Sequence, residues 1–249
     1  MFYSQGGYAF ELAEPSITLN IRNLRFNNVG AVNVLTDNCH FTMTNCTVRG
    51  LQDGGEVVSV SEKITTTHVT LSSSRFEDVA GKVLRYVAPL SVSTENISVE
   101  ILSCSFINVT RGAIIGGGGR SFVRIKRSSF SNVSSGLLTV VAAPNSESTV
   151  KLSENNYTEV KDVKYADSTI FVAGVKFLLV DTSAFNREPN LATAYSGRSI
   201  TDFRNTLSIK NVTSSIIRNC TFVISASAVN LFRFFDSRLV AFSRTFFSS

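Results

Sequence analysis

Val99-Glu100-Ile101-Leu102-Ser103-Cys104-Ser105-Phe106-Ile107-Asn108-Val109 and Val123-Arg124-Ile125-Lys126-Arg127-Ser128-Ser129-Phe130-Ser131-Asn132-Val133 are the same phrase written twice. Two apolar residues alternate with polar ones, a polar turn follows, and an aromatic residue leads into Asn-Val. An earlier copy reads Leu19-x-Ile21…Phe26-x-Asn28-Val29. The phrase returns about every twenty-seven residues, and a period of that length built from strand patterns implies stacked windings rather than a globule.

The aromatic position anchors each copy: Phe26, Val48, Phe76, Phe106, Phe130, Tyr157, Phe185, Phe222 and Phe246. Seven and five residues before these anchors stand Leu19/Ile21, Phe41/Met43, Val69/Leu71, Val99/Ile101 and Val123/Ile125. The series continues with Val150/Leu152, Leu178/Val180, Ser215/Ile217 and Leu239/Ala241. Ser215 alone is not apolar, whereas a composition 43% hydrophobic would fill about eight of these slots by chance. Alternation with period two, in segments rich in β-branched residues, Ser, Thr and Asn, predicts strands with one buried face. A third apolar run often follows a glycine, as in Gly30-Ala31-Val32, Gly81-Lys82-Val83-Leu84 and Gly112-Ala113-Ile114-Ile115. Three short strands per winding without a helix predict a parallel β-solenoid.

The frame V-x-I-x-x-[SCN]-x-F-x-N-V with its following G-x-[VIL]-[VIL] resembles the pectin-lyase-like superfamily over about residues 17–249. That resemblance implies an all-β, right-handed, single-stranded parallel β-helix, here of about nine coils. Asn45-Cys46-Thr47-Val48, Ser103-Cys104-Ser105-Phe106 and Asn219-Cys220-Thr221-Phe222 also look like coils of large surface repeat proteins. The dispersed-gene-family proteins of trypanosomatids are one example, and chlamydial polymorphic membrane proteins share a related coil. Glu188 and Ser225 stand where the frame expects Val, so the last third departs from it.

The repeat runs nearly end to end, so the 249 residues read as one domain. A frame begins by Leu19 and another is still open at Phe246-Phe247-Ser248-Ser249, without capping elements, so a piece of a longer chain is expected. Met1 to Gly7 lacks the basic start and apolar core of a secretory signal. Ile170 to Val180 is too short to span a bilayer and contains Lys176, which leaves membrane association to regions outside this chain. Charged residues are 17%, below the roughly 25% of an average domain, and Ser, Thr and Asn replace them. A net charge of +5 permits attraction to acidic glycans, but no arginine-rich run with interleaved aromatics points to nucleic acid.

Register decides the rarer residues. Cys46, Cys104 and Cys220 all stand two residues before an anchor, and Ser74 intervenes between the first two. Two windings separate Cys46 from Cys104 by about 9.6 Å, beyond the roughly 7 Å that a disulfide spans. Four reduced core thiols are expected, Cys39 included. His40 and His68 each stand eight residues before an anchor and should stack outward on neighbouring strands. With no Asp, Glu or Cys in their column they are too few for a tight metal site, and no cofactor is expected. The hydroxyl strip of Thr42, Thr44, Thr70 and Ser72 ends at Glu100, Arg124 and Lys126.

Catalytic patterns are incomplete. Arg124-Ile125-Lys126 matches the basic motif of polygalacturonases in the resembled superfamily, but the aspartate cluster and Gly-His-Gly that accompany it there do not occur in this chain. Glu77, Asp78, Glu100, Asp162 and Asp202 share no outer column that would hold calcium for a lyase. Gly116 to Gly119 lacks the Lys-Ser/Thr of a phosphate loop and reads as a turn between strands. Seven N-x-[ST] sequons, at Asn45, Asn96, Asn108, Asn132, Asn156, Asn211 and Asn219, favour an exposed, secreted chain.

Two features remain as candidate binding sites. Arg120, Arg124, Lys126 and Arg127 form the densest basic patch. The widest frame leaves a projecting loop at 186–205 carrying Tyr195 and Arg198, and loops on rigid scaffolds are where binding is usually placed. The sequence therefore predicts a non-enzymatic β-helix segment, extracellular or at the cell surface, for adhesion or contact with acidic glycans and other surface molecules. Its open end strands invite end-to-end self-association. A polysaccharide lyase or glycoside hydrolase is the alternative.

Overall fold

In the computed structural model the described residues are 7–87, 96–117, 119–134, 137–143, 146–161, 168–187, 205–224 and 232–248. Among them are 25 strands and no helix. Every strand pair is parallel, and each strand lies against those of the winding before and after. A nine-stranded sheet forms one flat face, and a sixteen-stranded sheet wraps the remaining faces. The chain is a β-solenoid.

The flat face shows why this sequence chooses it. Asn96–Leu102, Arg120–Lys126 and Thr66–Ser72 alternate buried and part-exposed residues along their length. Val69, Val99, Val123 and Val150 stand in register, as do Leu71, Ile101, Ile125 and Leu152. A one-residue slip would turn every one of these outward, so the pattern fixes the register.

On the second face the anchors stack as a ladder. Ring centroids of Phe76, Phe106, Phe130, Tyr157, Phe185 and Phe222 follow one another at 4.9, 4.6, 4.8, 4.5 and 4.6 Å. These are the spacings of neighbouring strands, which lets offset rings pack at no cost to the backbone ladder.

The corner leaving the flat face repeats its geometry. Asn23, Asn45, Ser73, Ser103, Arg127, Glu154, Thr182, Asn219 and Arg244 all take positive φ, between 47° and 59°. A left-handed residue costs about 1–2 kcal/mol, and here the amide gains a partner across the stack. Asn45 N–H donates to the Ser72 carbonyl and Ser103 N–H to that of Lys126, at 3.1 and 2.8 Å. The next residue points inward and builds a spine: Cys46, Ser74, Cys104, Ser128, Asn155, Ser183 and Cys220. The Ser74 hydroxyl donates to the Ser72 carbonyl at 2.8 Å and accepts from the Cys46 amide at 3.1 Å. Cys104 Sγ donates to the Leu102 carbonyl at 3.5 Å in the same way. Cysteine thus fills a serine slot, and all four cysteines are buried and free, as register predicts.

Three expectations need correction. The solenoid amounts to about six turns, not nine. The flat sheet does carry nine strands, but the end frames leave interior slots uncovered: Leu19 is only half-buried, and Phe242 is 44% exposed. The last anchor is Phe247 rather than Phe246, because Phe222 pairs with Phe247 and Ser215 and Ile217 pair with Val240 and Phe242. Leu239/Ala241 before Phe246 and Val240/Phe242 before Phe247 both satisfy the seven-and-five spacing, so only the pairing between windings separates them. Gly116 and Gly117 are not a turn. They end the long strand Ser105–Gly117 and pair with Val141 and Ala142, whose strand supplies their hydrogen-bond partners. In this winding and the one before, the second and third strands fuse, as in Arg75–Val87. Gly112 marks that passage: a Cβ there would lie 2.1 Å from the Leu137 carbonyl oxygen.

Candidate functional site

The four basic residues of the patch do not converge. Arg120, Arg124 and Lys126 take outward slots of the strand Arg120–Lys126, which sets Arg124 about 6.6 Å from Lys126 and about 13 Å from Arg120. Arg127 follows in the left-handed corner. Arg124 Nη1 sits 3.5 Å from Glu100 Oε1, and Lys126 Nζ sits 3.0 Å from Glu154 Oε1. Each charge is thus answered by a carboxylate one winding away. Arg127 is exposed, and Arg120 is exposed at the opposite end of the strand. Asn186 and Arg187 belong to the strand Ala184–Arg187; Tyr195 and Arg198, with 188–204, lie outside the described residues.

Arg120 instead opens a trough along one flank of the flat face. One stretch, about 320 Å³, is lined by Arg120, Ser121, Phe122, Glu147 and Thr149. The next, about 470 Å³, shares Glu147 and Thr149 and adds Lys151, Lys176, Phe177, Thr213 and Ser214. Its spine is one outward column, Phe122, Thr149, Phe177 and Ser214, in strict register across four windings. Phe122 and Phe177 are therefore two windings, about 9.6 Å, apart. Lys151 Nζ lies 5.7 Å from the Phe122 ring centroid, within reach of its negative face. Lys176 Nζ bonds Glu147 at 2.6 Å, and this pair closes the rim. The Lys176 ammonium holds the Glu147 carboxyl below its ordinary pKa, which keeps the rim ionic.

The flank was readable in part. Phe122 and Phe177 occupy the outward slot eight residues before an anchor, where earlier windings carry Thr18, His40, His68 and Ser98. A large apolar residue in a solvent slot is a signal that the sequence carries openly. Glu147 and Lys176 are different, because they lie in corners whose lengths vary.

His40 and His68 stack as the register predicts, with ring centroids 5.7 Å apart. His68 Nε2 is 2.9 Å from Thr70 Oγ1. Burial holds the His68 pKa below that of an ordinary histidine, the Glu100 charge opposes this, and the neighbouring His40 adds to it. Among the described residues no three His, Cys, Asp or Glu side chains cluster as metal ligands. Several carboxylates sit against cations: Glu56 against Lys82 and Arg85, Asp78 against Arg49, and Asp181 against Arg218. Asp162 and Asp202 lie outside the described residues.

The sequons divide by their partners. Asn45 Nδ2 donates to Asn23 Oδ1 at 2.8 Å, Asn108 Nδ2 to Asp78 Oδ1 at 2.8 Å, and Asn132 Nδ2 to Asn108 Oδ1 at 3.2 Å. These amides brace one corner against the next. Asn96, Asn156 and Asn211 stand exposed.

No protein-family model matches the chain, and no curated protein is similar to it at a significant level.

Proposed function

We propose that the chain is a non-catalytic β-solenoid segment of a secreted or cell-surface protein that holds acidic glycans along the Phe122–Phe177 flank. The observation that carries this reading is the pair of aromatic rings in one register column with Lys151 beside them. Sugar rings present flat C–H faces that stack on aromatics, while Arg120 and Lys151 supply charge for a pendant acid. Thr149, Thr213 and Ser214 add hydroxyls for the ring edges. Hydroxyl-rich outer slots and exposed sequons favour an extracellular setting. The repeat frame and the parallel solenoid support kinship with the pectin-lyase-like β-helices as a matter of fold, which by itself carries no activity.

The test is a glycan array and titration with the intact chain. Phe177→Ala or Lys151→Ala should weaken binding of acidic oligosaccharides by about tenfold, the loss of one good stacking or charged contact. An array without hits at physiological salt sinks the reading. So does release of unsaturated sugars from uronate polymers, followed by ultraviolet absorbance, if it disappears in Arg124→Ala.

A further inference from the structure

A second pocket lies on another face, among the strands Ser168–Ala173, Asn205–Lys210 and Phe232–Phe235. Two outward columns meet there. One runs Thr139, Phe171, Ser208, Arg233, and the other runs Ala173, Lys210, Phe235. The small residues Ser168 and Ser208, each 3% exposed, form a recessed floor between larger neighbours. The cavity is about 410 Å³, within the range of small-ligand sites.

Among the described residues its charge is uncompensated. Lys82, Arg85, Arg124, Lys126, Lys176 and Arg218 each meet a carboxylate. Among the described residues no carboxylate pairs with Lys210 or Arg233, and none lines the pocket. The Arg233 guanidinium lies 4.3 Å over the Phe235 ring, which fixes its plane and leaves its N–H edge to donate. Lys210 precedes it by one winding in the adjacent column, so the two cations approach the floor from different directions. Ser208 adds a hydroxyl, and Phe171 an apolar wall.

We infer that this pocket binds a sugar bearing a tetrahedral oxyanion ester, a sulfate or a phosphate. Three donors on two neighbouring strands, Ser208 and Lys210 on one and Arg233 on the next, suit a group with three terminal oxygens, whereas a planar carboxylate offers two in one plane. Phe171 takes the sugar's apolar face. The inference does not rest on the Phe122–Phe177 flank, which shares no residue with it.

Calorimetric titration of the intact chain tests this with four probes: glucosamine 6-sulfate, glucose 6-phosphate, glucuronate and glucose. Both esters should bind, more weakly as salt rises, and glucose should not. Lys210→Gln and Arg233→Gln should each weaken ester binding by about tenfold or more, and Lys63→Gln, at an exposed lysine outside both sites, should leave it unchanged. Both cations are exposed, so circular dichroism should show an unaltered fold; should Arg233→Gln misfold, Lys210→Gln decides. A preference between the two esters identifies the source of the group and supports the inference either way. Glucuronate binding as tightly as the esters and lost with them in Lys210→Gln, absence of ester binding by the native chain, or ester binding that survives both Lys210→Gln and Arg233→Gln would overturn it.

Discussion

The ring of Phe106 lies 4.6 Å from that of Phe130 with their planes 17° apart, although a whole winding of chain separates them. Phe106 also stacks on Phe76 at 4.9 Å and is 1% exposed. Phe106→Ala removes contacts to both neighbours and should destabilise the chain by about 3–5 kcal/mol in denaturant unfolding. Phe106→Leu should cost distinctly less. Equal, small effects for the two would mean that the ladder is incidental to stability.

Ser215 is wholly buried in the column that holds Val150 and Leu178, and its Oγ has no hydrogen-bond partner among the described residues. Ser215→Val restores the apolar pattern and removes an unsatisfied hydroxyl. The midpoint of thermal unfolding should rise, with a gain of about 1 kcal/mol. A lower midpoint would show that the slot is too tight for the added methyls.

The pH dependence around the histidine pair has a definite sign. The folded-state pKa of His68 is depressed by burial, with His40 adding to the shift and Glu100 opposing it. The unfolded chain therefore binds more protons just below pH 6.5, so stability is fully present above that pH and falls as pH drops toward the folded pKa. His68→Gln should flatten this slope in melting curves taken between pH 7 and 5. His40→Gln should move the His68 titration, followed by nuclear magnetic resonance, upward toward its ordinary value.

Burial pushes the Cys104 thiol up to about 11, so almost none is thiolate at pH 8. A thiol reagent should leave Cys104 unmodified in the native chain and label it after denaturation. Cys104→Ser should change stability by less than about 1 kcal/mol, since serine already fills this slot at Ser74 and Ser128. Rapid native labelling would show that the spine opens.

The isolated chain ends on an uncovered winding. Leu239, Phe242, Phe246 and Phe247 are 58%, 44%, 70% and 55% exposed, beside open strand edges of the kind that recruit further strands. Sedimentation should show association that grows with concentration. Leu239→Lys and Phe246→Lys, both at outward positions, should reduce it. A monomer at every concentration would rule this out.

The fold was legible because its signal is repeated: each slot is tested again in the next winding, and the register pairs Val99 with Val69 and Val123 as the spacing demands. The slip at Phe246 came where there was no later winding to check against. The candidate site was legible only as composition. Counting cations along Arg120–Arg127 finds a patch, but charge neutralisation acts between windings, through Glu100 and Glu154, whose register must be known first. The pocket of Lys210 and Arg233 was invisible for the same reason. Its members come one or two from each of four strands, joined only by stacking.

The Ser–Cys spine has a consequence for how such a chain can change length. Each of the serines Ser74, Ser128 and Ser183 bonds its own strand end and the amide of the member before it, as Ser128 Oγ does with Lys126 and Cys104. Excising Ser105 to Ser128 would bring Asn155 Oδ1, which now serves Ser128 N–H at 3.0 Å, beside Cys104 in the vacated role. Whole windings can thus be lost or duplicated as interchangeable modules, whereas dropping one residue turns a strand inside out. Gene-length variation in such a chain should come in quanta.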